Sequence, residues 1–84
     1  MSIGAEVLKI KAHISAYERD LKDIDLRADN CIILLREILD PTIEDFTEME
    51  LDRAIVALVD LTEKKNEATA IRDSIKKLER ELNG

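Results

Sequence analysis

Apolar residues recur along the first half of the chain at Ile3, Val7, Ile10, Ile14, Tyr17, Leu21, Ile24, Ala28, Cys31, Leu35 and Ile38. The spacings alternate four and three without a break, the heptad signature of a helix packed lengthwise against another helix. Val7, Ile14, Leu21, Ala28 and Leu35 take the a positions of that heptad, and the others take d. The pattern predicts a helix over about residues 2–39, with Ser2 as its N-cap and Gly4 loosening its first turn. At about 1.5 Å per residue such a rod is on the order of 55 Å long.

The positions beside this seam change character along the rod. Up to Arg27 they are polar: Lys11, His13, Glu18, Asp20, Asp25 and Arg27. Beyond Cys31 they become Ile32, Leu34 and Leu39, and the outward site holds Ile33. The apolar stripe therefore widens to most of the circumference, more than one partner helix covers.

A second helix is predicted over about residues 48–82. Leu51, Ala54, Ile55, Val56, Ala57, Leu58, Val59 and Leu61 form a broad apolar surface matching the widened end of the first. Further on the pattern narrows to Ala68, Ile71, Ile75, Leu78 and Leu82. The polar stretch 62–67 between them weakens the seam without ending the helix, since it holds neither Pro nor Gly. Asn83 and Gly84 read as its C-terminal stop, with Lys76, Lys77 and Arg80 suited to the negative end of the helix dipole.

Between the helices the chain reverses. Pro41 lacks an N–H and pushes Asp40 out of the α region, which ends the first helix. Thr47 and Glu50 have the spacing of a capping box, and Phe46 and Leu51 that of a hydrophobic staple. The predicted fold is all-α: one domain spanning residues 1–84, an antiparallel helical hairpin with its turn at 40–47. Centring the reversal near residue 44 sets Leu51 opposite Ile38, Leu58 opposite Cys31 and Leu78 opposite Ile10. Lys64 and Lys65 then lie beside Asp23 and Asp25, within reach of an ion pair.

A hairpin is one thin layer, whereas stable domains pack at least two. The surplus apolar surface near the turn has three possible covers. Two hairpins can pair into a four-helix bundle. Ile43 and Phe46 can fold back as a lid, or another protein can dock. The expected interface is Cys31, Ile32, Ile33, Leu34, Leu39, Ile55, Val56 and Val59, with Ile43 and Phe46 at its edge. A homodimer is the first expectation, and a protein partner the next.

Composition narrows the functional classes. The chain has 84 residues, 45% hydrophobic and 38% charged, with one Cys and a net charge of −6. One Cys gives no disulfide framework, so a cytoplasmic setting is expected. No apolar run reaches the roughly 18 residues of a membrane span. The N-terminus lacks the basic-then-apolar order of a secretory signal. Net acidity disfavours nucleic acid and anionic lipid as partners. Charge is also uneven: residues 23–63 hold 3 basic and 12 acidic side chains, the rest 10 basic and 7 acidic.

Candidate chemistry is sparse. His13 is a lone histidine at a flanking position, with neither a metal-ligand set nor a Ser-His-Asp set around it. Cys31 occupies a d site, where a free cysteine serves as a small hydrophobe. Tyr17 lies in the same row. Glu44, Asp45, Glu48, Glu50 and Asp52 lack the glycine and ligand spacing of a calcium loop. The basic residues from Lys64 to Arg80 are interleaved with Glu67, Asp73 and Glu79, and no aromatic accompanies them for base stacking. No cofactor, metal or enzymatic activity is expected. The expected function is protein–protein interaction by a self-associating helical protein serving as scaffold, adaptor or small regulator. The alternative is an acidic inhibitor filling the basic groove of a nucleic-acid-binding protein, whose binding would collapse with rising salt.

Overall fold

The structure is a computed structural model that describes residues 3–84, and side chains beyond Ile3. The Ser2 cap lies outside the described residues. Two helices account for most of the chain: α1, Ile3–Ile38, and α2, Leu51–Asn83. They pack side by side as an antiparallel hairpin with extents of 67 × 16 × 14 Å. Among the described residues there is no strand, and no helix is long and apolar enough to cross a membrane.

The α1 seam forms as its spacing predicts. Ile24, Cys31 and Ile38 are buried, and Val7, Ile10, Ile14, Tyr17, Leu21, Ala28 and Leu35 are half-buried. In α2 the seam positions Ala54, Ala57, Leu61, Lys64, Ala68, Ile71, Ile75, Leu78 and Leu82 are buried or half-buried, with Ser74 half-buried beside them. These also alternate three and four without a break, so the seam passes through the polar stretch. Lys64 fills the gap: its side chain is 12% exposed, with the stem on the seam and the ammonium 3.3 Å from Asp60.

A hydrogen bond fixes the register. The Cys31 thiol donates to Asp60 Oδ2 across the helix pair at 3.4 Å. Asp60, not Leu58, therefore meets Cys31, and the expected register shifts by about half a heptad. Carried along both seams, this contact sets Ile38 opposite Ala54, Leu35 opposite Ala57 and Ile24 opposite Ala68. At these three levels a large residue of α1 meets an alanine of α2, the size match that a close-packed seam needs. The expected pairing of Lys64 and Lys65 with Asp23 and Asp25 does not form. Asp23 is held by Arg27 on its own helix at 3.2 Å, and Lys64 pairs with Asp60 on its own.

The connection departs from the expected caps. Asp40 Oδ1 accepts from the Thr42 N–H and hydroxyl at 2.9 and 2.8 Å. Asp45 Oδ1 accepts from the Thr47 N–H and hydroxyl at 3.0 and 2.6 Å. The Asp45 carboxylate caps a short 3-10 turn, Phe46–Glu48. Thr47 thus lies inside that turn and not at the N-cap of α2, which begins at Leu51, so the capping box is not made. Glu50 occupies the N-cap of α2 with no side-chain cap bond and pairs with Arg53 instead. The hydrophobic staple is not made, since Phe46 is 68% exposed and Leu51 45% exposed. Nor does Phe46 close a lid; Ile43 and Met49 are the half-buried apolar residues of the loop, lining a hollow beside Leu34 and Ile38.

Candidate functional site

The heptad sorts the flanking residues onto two sides of the hairpin. Positions e and b lie to one side of each seam, g and c to the other, and f points away. In an antiparallel pair the e sides of both helices adjoin, as do the g sides. Two grooves on the structure show this division. One is lined by Ile32, Leu35, Arg36, Leu39 and Pro41 on the e side. The other is lined by Cys31, Leu34, Arg53, Val56, Ala57 and Asp60 on the g side, with Asp52 at its rim.

The turn half of α2 is inside out. Ala54 and Ala57 face α1 and are each 5% exposed. Ile55, Val56, Leu58 and Val59 between and beyond them are 60%, 69%, 50% and 55% exposed. Leu39 and Ile33 on α1 are also exposed, and Ile32 is half-buried. Ile32, Leu39, Leu51, Ile55 and Leu58 fall on the e/b side. They form a continuous apolar face interrupted only by Arg36.

The expected interface residues are thereby divided. Ile32, Leu39 and Ile55 share the e/b face, Leu34 and Val56 the g/c face, and Ile33 and Val59 point along the outer edges. Cys31 is buried in the seam, Ile43 is half-buried in the loop, and Phe46 stands exposed at the tip. Leu51 and Leu58 are the members of the e/b face that the expected set omits. Their signal was present, since residues 51, 55, 58 and 62 repeat at four and three beside the seam. The unbroken apolar run 54–59 hides it, because every position there is apolar whichever way it faces. Leu8 and Leu26 are further exposed large residues on α1, remote from this face or on its far edge.

The g/c side carries a polar cluster of Cys31, Asp60, Lys64 and Arg27 around one hollow. Burial raises the Cys31 thiol pKa, and the neighbouring Asp60 carboxylate, which accepts its proton in a hydrogen bond, raises it further. The thiol form is favoured, the opposite of an activated nucleophile. Asp60 is held below the usual carboxylate range by the Cys31 hydrogen bond and then by Lys64. Lys64 is raised by its hydrogen bond to Asp60. The ion pairs are made within each helix, Arg27 with Asp23 and Lys64 with Asp60, and the Cys31 thiol bond to Asp60 is the contact that crosses between them. Among the described residues no group of three or more His, Cys, Asp and Glu side chains is placed to hold a metal ion. His13 is exposed, and Tyr17 is half-buried in the α1 seam.

No protein-family model matches the chain, and no curated protein or solved structure matches it.

Proposed function

We propose that this protein is a non-enzymatic association module whose turn half binds a second copy of the chain, giving a four-helix bundle that serves as a scaffold, adaptor or small regulator for protein partners. The observation that carries this reading is the inverted turn half of α2. Small residues occupy the intramolecular seam, and large aliphatic ones face outward beside Ile32 and Leu39. An isolated hairpin gains nothing from that order, because reversing it would bury more apolar surface within the chain.

Overall dimensions support the same reading. A compact monomer of this mass exposes about 5,100 Å², whereas the hairpin exposes 6729 Å². The excess is about twice the 800 Å² that each partner contributes to a standard interface. The radius of gyration is 19.2 Å, against about 12 Å for a compact chain of this length.

Light scattering behind a sizing column, run across a wide dilution series, tests the proposal. The expected mass is twice the 9.6 kDa of the chain, persisting on dilution. A mass of one chain at every concentration overturns it.

A further inference from the structure

We infer that the second copy packs on the e/b face in a turn-to-turn orientation, with a two-fold axis along the rod, so that α1 of each copy lies over α2 of the other. This rests on the self-association proposed above and adds its face and direction. The e/b face is the more apolar of the two broad sides at the turn half: five large aliphatics against Leu34 and Val56 on the g/c side.

Two orientations bring that face onto itself, because a two-fold axis can run along the rod or across it. Charge distinguishes them. An axis across the rod, centred on the apolar face, sets Arg36 against Arg36 of the second copy. It also carries the acidic loop, with Asp40, Glu44 and Asp45, over the level of Asp25 and Asp29, where Lys65 is the opposing charge on the e/b stripe. Arginines then meet at the centre, and at each margin acidic residues outnumber that lysine.

An axis along the rod keeps every residue at its own level. Ile32 then meets Leu58, Leu39 meets Leu51, and Arg36 lies over Ile55. Beyond the apolar face Asp25 is level with Lys65, Glu18 with Arg72 and Lys11 with Glu79. The b positions add Asp29 with Thr62, Lys22 with Thr69 and Ser15 with Lys76. No like charges face one another along the e/b stripe. The six charged e residues are available for this, because the ion pairs among the described residues are Arg27–Asp23, Arg53–Glu50 and Lys64–Asp60. In a turn-to-turn bundle each of them faces the opposite charge on the second copy. The acidic loops of the two copies stand side by side at the tip, where solvent and salt screen them.

Pulsed electron spin resonance on the full chain tests the orientation. Lys77→Cys and Ala70→Cys, each in a Cys31→Ala background, place a spin label at an exposed c position away from the proposed face. A duplicate pair retains the buried Cys31 and is labelled under native conditions, in case the background variant is unstable. Turn-to-turn packing predicts similar separations at both sites, about 15–30 Å from the spacing of bundle axes plus the label arms. A turn-to-tail dimer centred on the apolar face predicts about 65 Å at residue 77 and about 45 Å at residue 70, from the helical rise. Light scattering on the same samples separates the two levels of the proposal. A dimer with long, unequal separations overturns the orientation and leaves self-association standing. One-chain mass at all concentrations overturns both.

Discussion

The two halves of α2 share one seam and use it in opposite ways. In the open half Ile71, Ile75, Leu78 and Leu82 face α1, while Lys65, Arg72, Asp73, Lys76 and Lys77 are exposed. In the turn half Ala54 and Ala57 face α1, and Ile55, Val56, Leu58 and Val59 are exposed. The open half is an ordinary amphipathic helix. The turn half leaves its largest apolar side chains exposed. On the proposed reading, burial within the chain and burial against a second copy fall on different residues, and substitutions at the seam and at the outward face should fail in different ways.

The largest effect is expected at the outward face. Ile55→Lys combined with Leu58→Lys should weaken association more than about 100-fold, as loss of central interface anchors does. Helical circular dichroism should persist at high concentration, because neither residue belongs to the seam. Sedimentation over a dilution series reads the change. Ile33→Lys, on the outer edge, should weaken association much less; equal effects at the two places would erase the distinction between the e/b face and the edge.

Next comes the seam. Ile38 is 5% exposed and sits opposite Ala54. Ile38→Ala leaves two alanines facing across the seam and should cost about 2–4 kcal/mol in urea unfolding. Ala57→Leu tests the close approach from the other direction. Its added methylenes meet Leu35 across the seam and should cost about 1–3 kcal/mol.

How far these positions were legible in the sequence follows from what spacing encodes. The α1 seam could be read residue by residue, because eleven positions keep one phase and up to Arg27 the sites beside them are mostly polar, so the phase is set before Ile32, Ile33 and Leu34 widen the stripe. The α2 seam could not. Apolar residues fill nearly every site over 54–59, so the pattern gives the presence of a helix but not its inward face. Lys64 breaks the hydrophobic count although its stem completes the seam. The register depended on the path of the loop. There Asp45 caps a 3-10 turn that contains Thr47, and α2 begins only after it, at Leu51. The excess of apolar surface near the turn was visible in advance. Its division between two sides and two edges needed the register.

Smaller effects should come from titration. Asp40 is held below its ordinary pKa of 3.8 by the Thr42 N–H and then the Thr42 hydroxyl. Asp45 is lowered by the Thr47 hydroxyl and then its N–H. A carboxylate with a depressed pKa stabilises the fold above its unfolded value, and that contribution is lost as pH falls through the folded one. The loop contribution should therefore be complete above about pH 4 and decline below it. The decline should be smaller in a variant carrying Asp40→Asn and Asp45→Asn, as thermal unfolding at graded pH would show. Cys31 should react slowly with a thiol reagent in the native protein below its ordinary pKa of 9.0, and rapidly once denaturant opens the seam. Rapid native labelling would place the thiol outside the seam.

Small-angle X-ray scattering on an absolute scale tests the central claim most directly, because one curve gives both mass and shape. Two hairpins stacked side by side along their length double the mass while hardly lengthening the particle. The account predicts twice 9.6 kDa with a radius of gyration close to the 19.2 Å of one hairpin. A mass of 9.6 kDa throughout the concentration range would contradict it.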